Sequence, residues 1–90
     1  MRIFMQIPAI PNQAPRYYHL ILQQDLLGGW LLTREWGQQG ARSSIKREVF
    51  VNRQDAETAF LGLRDQQLKR GFQVMFTQGA EPPSELRYEV

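Results

Sequence analysis

Cysteine is absent from the 90 residues, which excludes disulfides, thiolate zinc sites, iron–sulfur clusters and thiol nucleophiles. Histidine occurs once, as His19, so one chain cannot build a two-histidine metal site. No apolar run is long enough to cross a bilayer, and no membrane partner is expected. The N-terminal apolar stretch is broken by Gln6 and Pro8. It is too short for a signal-peptide core, and the expected location is the cytoplasm. No glycine-rich loop suited to cradling phosphate is present, and the carboxylates follow no metal-ligand cadence. No cofactor is implied. His19 with Ser43 or Ser44 and an acid has the composition of a hydrolase triad, but no nucleophile elbow or oxyanion glycine motif accompanies them. The sequence reads as non-catalytic.

What is there suits one small domain with a thin core. A chain of this length buries roughly 60–65% of the surface its unfolded form exposes, which leaves little room for an internal cavity. Hydrophobic residues make up 42% and charged residues 22%, with a formal net charge of +2. The charge is unevenly spread. Residues 34–70 carry eight cations against five acids, whereas residues 71–90 carry only Arg87 against Glu81, Glu85 and Glu89. A concentrated positive centre is a reason to consider nucleic acid.

Residues 1–7 alternate Ile3, Met5 and Ile7 with Arg2, Phe4 and Gln6, the period of a strand. Pro8, Pro11 and Pro15 forbid a helix and favour an extended path. Residues 1–15 therefore read as a strand and a Pro-rich tether that carries it away from the body or along its edge. The body is expected over residues 16–76. RYYHLILQ is a strand with Tyr18, Leu20 and Leu22 on one face. Gly28-Gly29 marks a hairpin, and Trp30, Leu32, Arg34 and Trp36 share one face of the return strand. Gly37 and Gly40 bracket a second turn, followed by a strand with Ile45, Val49 and Val51 in phase and Arg47 between them. Asn52 suits a helix N-cap, with Asp55 in the first turn. Ala56, Ala59, Phe60 and Leu63 form one helical stripe. Gly62 within it suggests close packing on the sheet. Lys69 and Arg70 suit the helix C-terminus, Gly71 the position after it, and FQVMF a last strand. Residues 77–90 read as an acidic tail containing Pro and Gly, in which LRYEV has the makings of a short edge strand. The order β-β-β-β-α-β predicts an α+β domain: an antiparallel sheet of four to five strands with one helix packed on it.

The stretch GWLLTREWGQQG, with its flanks, resembles the WGR domain family. That family is named for a Trp-Gly-Arg triplet and occurs in poly(ADP-ribose) polymerases and small bacterial proteins. The matching residues are Tyr18-His19-Leu20, Trp30, Trp36-Gly37, Gly40, Ala56, Phe60 and Lys69-Arg70-Gly71-Phe72. They cover roughly residues 16–76. The resemblance implies that Trp36 packs against the sugar at a broken DNA end, with its triplet neighbour on the nucleic acid. Here that neighbour is Gln38. Glutamine can hydrogen-bond a phosphate or a base edge, but it lacks the charge-assisted, bidentate bond of arginine.

Two functions compete. The first is a non-catalytic nucleic-acid-binding module, for DNA ahead of RNA. It would use Trp36, Gly37 and Gln38 with the basic residues Arg42, Lys46, Arg47 and Arg53. A flat aromatic beside several cations suits an end, a nick or a single strand, with weak, salt-sensitive binding. Each feature also has a structural explanation. Trp36 shares a face with Trp30 and Leu32, as a core residue would, Arg34 can stack on a tryptophan without any ligand, and the cations suit a solvated strand face. The second function is a protein-interaction or self-association module that has lost DNA binding with the motif arginine. Its partner would be another protein or a second copy, joined by strand addition or exchange through residues 1–7.

Overall fold

The computed structural model describes residues 1–79. The elements are β1 (Arg2–Ile7), β2 (Arg16–Gln24), β3 (Trp30–Gln38), β4 (Ser44–Phe50), α1 (Arg53–Lys69) and β5 (Gln73–Gln78). All strand pairs are antiparallel, in one five-stranded sheet of order β4-β3-β2-β1-β5. The domain is α+β with the element order β-β-β-β-α-β, as the sequence predicts. LRYEV and most of the acidic tail lie outside the described residues, and β5 runs to Gln78, past the expected end of the body at residue 76.

The helix covers one face of the sheet. Strand alternation puts Ile3 and Met5 of β1, Tyr18, Leu20 and Leu22 of β2 and Leu32 of β3 on that face, and all six are buried. Ala56 and Phe60 of α1 close over them, and Phe72 joins from the segment after the helix. Asn52 caps the helix as expected: its Oδ1 accepts from the Asp55 amide at 2.9 Å. The helix stops at a left-handed Gly71 (φ 101°). The Phe72 amide donates to the Gln67 carbonyl, and the Gly71 amide to that of Leu68. These are the paired bonds of a Schellman ending.

Four expectations change. First, β1 is neither detached nor at an edge: it lies between β2 and β5 and pairs with both. The Pro-rich segment is a connection, not a tether. The chain reverses at Ile10–Gln13, with Asn12 at φ 73°, and returns as β2. Both edges of β1 are occupied within the chain, so strand addition by a second copy through residues 1–7 has no free edge to use. Second, Gly62 does not pack on the sheet. It is exposed, and a Cβ there would meet nothing within 4 Å. Third, β3 runs on through Gly37 to Gln38, so Gly37 is in the strand opposite Tyr17 and not at the start of the turn; the reversal comes later, at Gly40 (φ 86°). Fourth, the apolar phase of β4 points away from the helix. Ile45 is 50% and Val49 63% exposed, while Lys46 and Glu48 take the helix-side phase opposite Arg34 and Leu32.

Candidate nucleic-acid interface

At the C-terminal end of α1 the helix-side face of the sheet opens into a cleft of about 290 Å³. Its floor is Tyr18, 5% exposed. Tyr18 and Trp36 are a cross-strand pair of β2 and β3, and their rings stack with centroids 5.6 Å apart and planes 17° from parallel. Phe72 meets Tyr18 edge-on at 6.0 Å. The half-buried Trp36 ring is therefore held by its neighbours, with part of its surface left open.

Three guanidiniums line the same cleft, from Arg16, Arg34 and Arg70, and among the described residues no carboxylate does. Arg34 donates to the Tyr18 hydroxyl at 3.2 Å, and its guanidinium carbon lies 5.7 Å from the centre of the Trp36 ring. Arg16 stands 6.0 Å over Phe72. Arg70 is the helix C-cap residue, where a cation offsets the negative end of the helix dipole. Gln67 is 3% exposed, yet its Oε1 has no hydrogen-bond partner among the described residues. The cleft thus combines a flat apolar wall with fixed positive charge, which suits a sugar or base attached to a phosphate.

The residues expected at the site are only partly gathered. Trp36 and Gly37 line the cleft. A Cβ at Gly37 would lie 3.3 Å from the Arg42 carbonyl, the Ser43 Cα and the Tyr17 hydroxyl, so the strand needs a small residue here. Gln38 is exposed and outside the cleft; its Nε2 donates to the Ala14 carbonyl at 3.4 Å. Arg42 is exposed in the β3–β4 turn. Lys46, opposite Arg34, is on the helix-side face, but Arg47, opposite Thr33, projects from the other face. Arg53 is at the far end of the helix, 5.3 Å over Trp30 and bonded to Glu57 at 2.6 Å. The four cations of residues 42–53 therefore do not form one patch around Trp36. Arg16, Arg34 and Arg70 come to it instead, from β2, β3 and the helix end.

His19 lies on the uncovered face, edge-on to Phe4 at 5.5 Å. Its pKa is lowered by partial burial first and by the Arg2 charge second, with Glu35 acting the other way. Ser44, opposite Trp36, occupies the helix-side face, so His19 and Ser44 are on opposite sides of the sheet. No group of three metal-ligating side chains occurs among the described residues, and none of their helices is long and apolar enough to cross a membrane.

The family model for the WGR domain matches residues 1–78, so the chain belongs to the WGR domain family. The match includes β1, in keeping with that strand's place inside the sheet. WGR domains are in general nucleic-acid-binding modules without catalytic activity of their own. The chain is also similar to "Uncharacterized protein y4dW" of Sinorhizobium fredii (strain NBRC 101917 / NGR234), with 35% identity over 57 residues. That alignment covers 63% of this chain and 28% of the relative, so it spans little more than a quarter of the relative's length. No solved structure matches.

Proposed function

We propose that this WGR domain binds the phosphate-bearing end of a nucleic-acid strand, or a nick, in the cleft beside Trp36. One observation carries the reading. A half-open tryptophan is stacked on a buried tyrosine in a cleft that three arginines line, one of them over the indole, and among the described residues no carboxylate lines it. The terminal sugar or base rests on Trp36, and the phosphate meets Arg16, Arg34 and Arg70. Guanidinium–phosphate bonds are charge-assisted and often bidentate. Arginines recruited from β2, β3 and the helix end thus supply charge that Gln38 does not. With about three phosphate contacts, binding is weak and salt-sensitive. DNA is the favoured ligand.

The test is fluorescence anisotropy across a salt series. The ligands are an intact duplex, a nicked duplex, a duplex with a 5′-phosphorylated end and a single strand. The reading expects salt-dependent binding that favours the nick or the phosphorylated end and is weakened about tenfold in Trp36→Ala. It fails if no DNA binds at low salt, or if a folded Trp36→Ala binds as the parent does.

A further inference from the structure

The face of the sheet that α1 leaves uncovered has its own chemistry. Strand register places Phe76 of β5 beside Phe4 of β1, and Phe4 beside His19 of β2. The register slips between Phe4 and Met5, leaving Met75 as an extra residue, so Phe76 stays on the face of Phe4. Phe4 also lies nearly parallel to Tyr17, with ring centroids 6.2 Å apart. Phe76 is 49% exposed, and Phe4 and Tyr17 are half-buried. Three aromatic residues on three adjacent strands thus share one open face. Arg2 flanks it on β1, and Arg47 projects from the same face on β4 between the exposed Ile45 and Val49; Glu35 is the one carboxylate the strands place there.

We propose that this face is a second nucleic-acid surface, which takes a single strand by stacking its bases on Phe4, Tyr17 and Phe76. The neighbouring groups favour this occupant over a protein. The platform is bordered by the amides of Gln6 and Gln73, opposite one another on β1 and β5, and by the Arg2 guanidinium, with Arg47 farther along the same face on β4. Amides and guanidiniums match base edges and phosphates, and aromatic rings accept any base on their faces. An open antiparallel sheet with exposed aromatics on its central strands is a general solution to single-strand recognition. The surface lies on the opposite side of the sheet from Trp36 and shares only Tyr17 with the end-binding cleft, which that residue also lines.

A labelled circular oligothymidine tests this directly, because it has no ends. The proposal expects binding at low salt that Trp36→Ala leaves unchanged. Phe76→Ser should weaken it at least about fivefold, the loss of one stacked base. Arg47→Gln should reduce the slope of log affinity against log salt by about 0.7, one single-strand phosphate contact. Arg47 is exposed on an edge strand, so its replacement reads out binding even if Phe76→Ser unfolds. The proposal is overturned if the circle does not bind, or if folded Phe76→Ser and Arg47→Gln bind it as the parent does. It is equally overturned if light scattering shows a dimer that Phe76→Ser dissociates, because a second copy would then cover the face.

Discussion

Trp36 lies flat on Tyr18, 5.6 Å between ring centroids, while Arg34 reaches from the same strand to the Tyr18 hydroxyl and over the indole. Tyr18 is fixed by burial, Trp36 is fixed by Tyr18, and Arg34 is fixed by both. A ligand stacking on the indole therefore meets a surface that needs little further ordering, which limits the entropic cost of binding.

The first prediction concerns that surface. Trp36→Ala removes a half-buried ring and one stacked pair, the pair alone worth about 0.5–1.5 kcal/mol. The domain should remain folded, with a stability loss of about 1–2 kcal/mol in denaturant titration. Affinity for a phosphorylated DNA end should drop by about tenfold, the middle of the range for one stacked base. A variant that is unfolded in water would show that Trp36 serves the core.

Arg70 tests the electrostatic half of the cleft. Its side chain forms no ion pair among the described residues, so Arg70→Gln changes little in the fold beyond the dipole contact at the helix end. If Arg70 meets a phosphate, the slope of log affinity against log salt on duplex ends should shrink by about 0.9. Arg53→Gln, at the opposite end of the helix beside Trp30, should leave that slope unchanged.

How far the sequence could be read depended on the range of the interactions involved. The Asn52 cap, the Gly71 stop and the phase of Tyr18, Leu20 and Leu22 are local, and the residues announce them directly. The place of β1 is not local. Its alternation marks a strand, but nothing within residues 1–15 says that β5, far along the chain, will pair with its second edge. The cleft was half-legible for the same reason. Trp36 stands out by type, and Arg34 is in phase with it. Arg16 and Arg70 join it only through the β2–β3 register and the path of the helix. Arg47 and Arg53 are near Trp36 in sequence, but strand alternation turns Arg47 to the other face and the length of β4 carries Arg53 to the Trp30 end of the sheet.

Gly62 offers a prediction in the stabilising direction. It occupies an exposed helical position where an added methyl group meets nothing within 4 Å. Gly62→Ala removes backbone freedom from the unfolded chain and supplies the best helix former. It should raise stability by about 0.5–1 kcal/mol. Thermal unfolding should move upward, with DNA binding unchanged. A lower melting temperature would mean that another partner closes on this position.

His19 supplies the pH dependence. Its folded pKa lies below the ordinary histidine value of 6.5 because partial burial and the Arg2 charge both disfavour the imidazolium, against the weaker pull of Glu35. The unfolded chain therefore takes up a proton before the folded domain does. As pH falls below about 6.5, protonation stabilises the unfolded state. The contribution of His19 is complete above that pH, declines as the pH drops toward the folded pKa, and is lost below it. The urea midpoint of the parent should thus decrease on acidification from neutrality, and His19→Gln should flatten that part of the profile. Identical profiles for parent and variant between pH 5 and 7 would assign the acid sensitivity to the carboxylates. A direct NMR titration of the imidazole should give a midpoint below 6.5, and replacing Arg2 with glutamine should move that midpoint upward.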